Sequence, residues 1–337
     1  MRHSTASPRS RSGGKFARRA GLLLLGLALW GCDRPAEPVD HLEVAARSIQ
    51  AGALSADGRW ALVGSGNHGG SLWRVDDGER LFNWNHKADT STLILSASFS
   101  TDARYALTTD ERTLVLWNRE TGAAEQYWSS PAGIVMAQLG ADGEHALLAL
   151  EDYRAALYNV RRGGIIRNFH HSDHVSAIAM SEHRAVTGSD AGTATLWNLD
   201  TGEVIVSRQH DAPVQAVAIA PQGDRILSAA RYEPPQVWSA EGELLWELPL
   251  PEERVRRGAR VSLARFSDDG GWLLTGQPTG RVDLWDVDNR TLAYSWQLPK
   301  RKAFHPKAVA VLALAFTEDP NRYRAISSDG FVYELGY

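Results

Sequence analysis

Apolar and polar positions alternate in short runs along most of the chain, and the runs recur. LSASFSTDARYALTTD from Leu95, AIAMSEHRAVTGSD from Ala177, AVAIAPQGDRILSAA from Ala216 and LARFSDDGGWLLTG from Leu263 share one form: an apolar strand, a polar turn, a second apolar strand. Downstream of each comes an apolar–aromatic pair: Leu72-Trp73, Leu116-Trp117, Leu157-Tyr158, Leu196-Trp197, Val237-Trp238, Leu284-Trp285 and Val332-Tyr333. Successive aromatics are 44, 41, 39, 41, 47 and 48 residues apart. The clearest unit, GTATLWNLDTGEVIV from Gly192, continues through a Thr-Gly turn into a further strand. Alternation with period two, punctuated by Asp-Gly, Thr-Gly and Asp-Asn, is strand and hairpin chemistry. Four strands in about 40 residues, repeated, predict an all-β radial architecture.

This pattern resembles the WD-repeat family from about Leu42 to Tyr337. The resemblance implies a β-propeller whose blades place Trp73, Trp117, Tyr158, Trp197, Trp238, Trp285 and Tyr333 on their third strands. It also implies a hydrogen-bonded set of His, Ser or Thr, Asp and Trp in each blade. The fourth repeat offers His171, Thr187 or Ser189, Asp190 and Trp197. The fifth offers His210, Ser228 and Trp238 without an obvious Asp. The second has Asp110 and Trp117, with His86 displaced by a longer loop. The last repeat ends after its third strand, while LEVAARSIQ, Leu42 to Gln50, precedes the first repeat without a blade of its own. That orphan strand is expected to complete the last blade and close a seven-bladed ring, removing two open sheet edges.

Charge changes the picture at the N-terminus. Arg2, Arg9, Arg11, Lys15, Arg18 and Arg19 precede any acidic residue, and an eleven-residue apolar run, Ala20 to Trp30, follows. A basic stretch and a short apolar core form a signal-peptide pattern, and eleven residues are short for a bilayer span. The ending Leu29-Trp30-Gly31-Cys32 resembles a bacterial lipobox. The resemblance implies cleavage after Gly31 and acyl chains on Cys32. Expected domains are therefore 1–31 signal peptide, 32–41 lipidated Cys32 and tether, and 42–337 propeller. Asp33 resembles an inner-membrane retention signal, so the expected place is the outer face of a bacterial inner membrane. Without the six leading cations the chain carries 30 basic against 40 acidic residues, a net of −10. That balance argues against nucleic-acid binding, which needs phosphates neutralised by Lys and Arg.

Candidate chemistry is sparse. Gly64-Ser65-Gly66-Asn67-His68-Gly69 fits a dinucleotide fingerprint, but a strand follows rather than a helix. His170-His171-Ser172-Asp173-His174 holds metal-capable groups, yet His171 stands four residues before Val175 as His210 stands four before Val214, a structural spacing. No cofactor or metal is expected. HExxH, GxSxG and CxxC are absent from the sequence, and the innermost strands read small and mostly neutral. Two connections are basic: Arg254, Arg256, Arg257 and Arg260 in one, Lys300, Arg301, Lys302 and Lys307 in the other. Both join a fourth strand to a following first strand, so they are candidate partner-binding residues on one face. The expectation is a non-catalytic scaffold of the bacterial cell envelope, monomeric alone, with protein partners and a lipid anchor. The alternative is an envelope hydrolase or small-ligand-binding propeller working at the channel mouth.

Overall fold

The computed structural model describes residues 34–66, 68–87, 90–250, 261–301 and 309–337. Among them there is no helix, and the strands form seven four-stranded antiparallel sheets. β1 (Asp40–Glu43) comes first. Blade one holds β2–β5 (Ile49–Leu54, Trp60–Ser65, Gly69–Arg74, Glu79–Trp84). Blade two holds β6–β9 (Ser96–Phe99, Tyr105–Thr109, Thr113–Asn118, Ala124–Ser129). Blade three holds β10–β13 (Ile134–Leu139, His145–Leu150, Arg154–Asn159, Ile165–His170). Blade four holds β14–β17 (Val175–Met180, Arg184–Ser189, Thr193–Asn198, Val204–Gln209). Blade five holds β18–β21 (Val214–Ile219, Arg225–Ala230, Gln236–Ser239, Leu244–Glu247). Blade six holds β22–β25 (Leu263–Phe266, Trp272–Gly276, Arg281–Asp286, Thr291–Gln297). Blade seven holds β26–β28 (Val311–Phe316, Arg322–Ser327, Phe331–Gly336) and takes β1 as its outer strand.

The architecture is the expected seven-bladed β-propeller, and burial explains it. Second and third strands are apolar on both faces: β11 reads HALLAL with all but His145 buried. Such a sheet is stable only between two neighbours. Seven apolar clusters do this, one at each junction between adjacent blades. Fully buried leucines such as Leu62, Leu116 and Leu147 each contribute roughly 1.5–3 kcal/mol. Outer strands are polar, as in β9, AEQYWS.

The closing strand is shorter and earlier than the sequence pattern predicts. β1 covers Asp40–Glu43, pairing Asp40 with Glu334 and Glu43 with Phe331, while Ile49 and Gln50 belong to β2. Alternation in LEVAARSIQ runs through the connection and so masks the break. After Glu43 the backbone leaves the ladder, with Val44 and Ala45 both donating to the Gly330 carbonyl. The preceding segment is also engaged. Ala36 forms a parallel bridge to Trp296, donating to the Ser295 carbonyl at 2.8 Å and accepting from Gln297 at 2.9 Å. Its engagement begins four residues before β1.

Six third-strand aromatics sit at one register, after a bulge and opposite the second residue of the neighbouring strand. Ala61, Ala106, Ala146 and Ala185 face Trp73, Trp117, Tyr158 and Trp197. Trp238 faces Ile226 and Trp285 faces Leu273. Blade seven departs from this. Tyr333 pairs with Ala325, two residues too early, and Leu335 holds the aromatic's place opposite Tyr323. The large ring has moved to the second strand, where Tyr323 is buried against Trp296 and Phe316.

Candidate functional site

Antiparallel order gives the ring two unlike faces. Connections between blades, and turns between second and third strands, lie on one, here the connecting face. Turns between first and second strands, and between third and fourth, lie on the other, the turn face.

Two hydrogen-bond sets with a histidine face the connecting side. In blade two, His86 Nε2 lies 2.9 Å from Thr108 Oγ1 and its Nδ1 3.1 Å from Asp110, and Trp117 donates to Thr108 at 2.8 Å. The displaced His86 thus completes its set. Burial holds its pKa below the ordinary imidazole value, against the pull of Asp110. In blade five, His210 Nε2 lies 2.8 Å from Ser228 Oγ, and Nδ1 3.0 Å from Glu233. A carboxylate only accepts, so Nδ1 donates to Glu233. Glu233 supplies the acid that the sequence pattern lacks. Trp238 donates to Ser228 at 3.1 Å.

Blade four, the most complete in sequence, does not assemble the set. Trp197 donates to Thr187 at 2.8 Å, selecting it over Ser189. Asp190 is exposed, and His171 meets Trp197 edge-on with its Nε2 buried and unpartnered. Burial, with help from His170, pushes His171 down to about 4. His174 turns to Asp173 and the Tyr153 ring instead. Among the described residues, no three His, Cys, Asp or Glu side chains gather as metal ligands.

The connecting face also exposes large apolar groups: Leu93, Leu95, Tyr153 and Tyr232. Tyr153 and Tyr232 each have φ of 66°. That left-handed backbone suits glycine, and Gly192 fills the place of Tyr153 in blade four. A non-glycine residue there costs about 1–2 kcal/mol. Sequence reasoning missed both tyrosines. The available signal was the turn alignment, where EDYR stands against DAGT.

The candidate cations divide. Cys32 and Arg254, Arg256, Arg257, Arg260, Lys302 and Lys307 lie outside the described residues. Lys300 is exposed. Arg301 is committed internally: it donates to the carbonyls of Ala45 at 2.9 Å, Ala46 at 3.2 Å and Asp329 at 3.1 Å. It also pairs with Glu43 at 3.0 Å and covers the Phe331 ring. Arg301 therefore clamps the connection after β1.

On the turn face the channel widens into a cavity of about 570 Å³ lined by all seven first strands. Its walls are mostly small or apolar. Glu182 and Asp268 lie in turns at its mouth, and Arg265 is the one cation among the described lining residues.

No family model matches the chain. It is 36% identical over 140 residues to human WD repeat-containing protein 90, covering 39% of this chain and 8% of that protein. It is 26% identical over 203 residues to the guanine nucleotide-binding protein subunit beta of Arabidopsis thaliana, covering 55% of this chain and 53% of that one. It is 25% identical over 121 residues to the small ribosomal subunit protein RACK1y of Oryza sativa, covering 35% and 36%. The chain thus spans from under a tenth to about half the length of these relatives. The fold and these similarities agree: the chain is a seven-bladed β-propeller similar in sequence to WD-repeat proteins.

Proposed function

We propose that this propeller is a non-catalytic protein-interaction scaffold of the bacterial cell envelope, held at the membrane by acyl chains on Cys32. The observation that supports docking on the connecting face is the pair of exposed tyrosines, Tyr153 and Tyr232, kept in left-handed backbone. Stability alone would place glycine there, and strained residues cluster at functional sites. Tyrosine offers a large amphipathic contact at low entropic cost. The exposed Leu93 extends the apolar surface. The relatives' names describe repeat proteins and subunits of assemblies, which agrees with a scaffold.

Two measurements test it. Metabolic labelling with an alkyne fatty acid should mark the wild-type chain, and Cys32→Ala should lose both the label and membrane fractionation. A photo-crosslinking residue at position 153 or 232 should trap one common envelope protein, whereas position 205 on the outer rim should not. An unlabelled wild-type chain rules out the anchor. Equal trapping from rim and face rules out the docking surface.

A further inference from the structure

The seven first strands share one layer around the channel, the positions paired with the third residue of each second strand. These are Ala53, Ser98, Gln138, Ala179, Ala218, Arg265 and Ala315, of which all but the fully buried Ala315 line the cavity. Five are small, which the crowded axis explains. Gln138 and Arg265 are not. They stand three blades apart in a ring of seven, on opposite sides of the axis.

Small neighbours leave both side chains room, and neither is consumed by the fold. Arg265 makes one hydrogen bond, to the Leu314 carbonyl at 3.3 Å, and no ion pair among the described residues. Gln138 makes no side-chain hydrogen bond among them. A guanidinium carries five N–H donors, so Arg265 keeps most of its capacity unused. Its partial exposure is to the channel. The surroundings desolvate it enough to pull its pKa down, while Asp268 and Asp57 pull the other way through space. One carbonyl and two carboxylates acting through space leave most of this desolvated guanidinium's donors open to a further partner.

We propose that the channel is a binding site for a single carboxylate, received bidentately by Arg265 with the Gln138 amide opposite. A planar guanidinium fork matches a carboxylate in geometry and charge. The walls around it are Ala53, Ala179, Ala218, Leu54 and Ile178, which suit a small apolar body behind the carboxylate. Glu182 and Asp268 lie at the turn-face mouth, where they repel a dianion such as phosphate more than a single carboxylate. The carboxylate belongs either to a free small acid or to a peptide C-terminus. This site is separate from the connecting face and does not depend on partner docking there.

Calorimetric titration of the full-length chain in detergent distinguishes these sources. The probes are N-acetylalanine, the peptide Ala-Ala-Ala, the C-terminal amide of each, and inorganic phosphate. Saturable binding of an acid, at least tenfold weaker for its amide and for phosphate, supports the site. The tighter of the two acids identifies the source. Arg265→Gln should weaken acid binding at least tenfold, and Arg265→Lys should keep part of it. If Arg265→Gln alters the melting transition, the Arg265→Lys and acid-against-amide comparisons decide. Absence of saturable acid binding, equal binding of acid and amide, equal binding by phosphate, or unchanged binding by a folded Arg265→Gln variant each overturns the proposal.

Discussion

His171 and His210 occupy the same place in successive blades, one residue after the outer strand, yet only His210 has hydrogen-bond partners for its ring. The turn facing them decides it. Five residues, with Pro234 and Pro235, separate β19 from β20 and place Glu233 beside His210; three residues separate β15 from β16 and leave Asp190 exposed. Removing His210 takes one partner from the buried Ser228 hydroxyl, which keeps Trp238, and one from Glu233, which keeps the Asp211 N–H. His210→Leu should therefore cost about 2–3 kcal/mol in denaturant unfolding, and His171→Leu about zero or a slight gain. Equal losses would contradict this. The pH dependence follows with a definite sign. His171 titrates near 4 when folded and near 6.5 when unfolded, so between these values the unfolded chain takes up a proton that the folded one refuses. Its contribution is intact above about pH 6.5 and lost as pH falls to about 4. His86, held below its ordinary value, acts in the same direction. His171→Leu should flatten that acid decline. An identical slope in wild type and variant would sink the assignment. The sequence grouped His86 with Asp110 and His210 with Ser228, as the structure has them, but it did not show Glu233 or the failure of blade four. Glu233 hides behind two prolines.

Strand placement was legible wherever Trp followed an aliphatic residue, because the bulge and the register opposite the second strand recur with it. It failed in blade seven, where Val332-Tyr333 imitates the pair two residues early and Tyr323 on the neighbouring strand provides the bulk. Register depends on volume across two strands, which one strand's pattern does not carry. β1 shows the same limit: alternation located the closing strand but not its ends. Its exit is held by Arg301, through three carbonyls, one carboxylate and a ring. Arg301→Ala should cost about 1.5–3 kcal/mol, since charged hydrogen bonds are lost and carbonyls left unpaired. Amide exchange at Leu42 and Val44 should accelerate more than at the middle of β11. Uniform acceleration across the ring would show that Arg301 is no clamp. The sequence offers the cationic stretch containing Arg301 as partner-binding, whereas Arg301 is spent on the fold. Charge runs do not reveal which member finds carbonyls.

For the whole molecule, the blade count, the closure and the channel-facing first strands were predictable, whereas the alignment of their residues into one layer was not. The layer draws one residue from each of seven segments spread from Ala53 to Ala315. Only the registers show that Gln138 and Arg265 share it. The seven interfaces have like composition, and the junction of blades seven and one is packed like the others, with Ile326, Val332 and Ala61 buried. A closed ring of nearest-neighbour interfaces should unfold as a unit. Ile326→Ala at the closing junction and Leu148→Ala between blades two and three should each lower one shared transition, by about 2–5 kcal/mol. A separate early transition confined to Ile326→Ala would mean that the closing junction opens independently.

The bridge at Ala36 gives this ring a mechanical property. Tension entering through Pro35 meets the two hydrogen bonds that tie Ala36 to blade six before it reaches the β1 ladder on blade seven, and beyond that lies the Arg301 clamp. The three fastenings are arranged in series across two blades. A brief tug can then be absorbed by parting the outermost, which can re-form, while the closing strand stays seated. The segment works as a strain relief, the part of a cable fitting that yields first so that the joint does not.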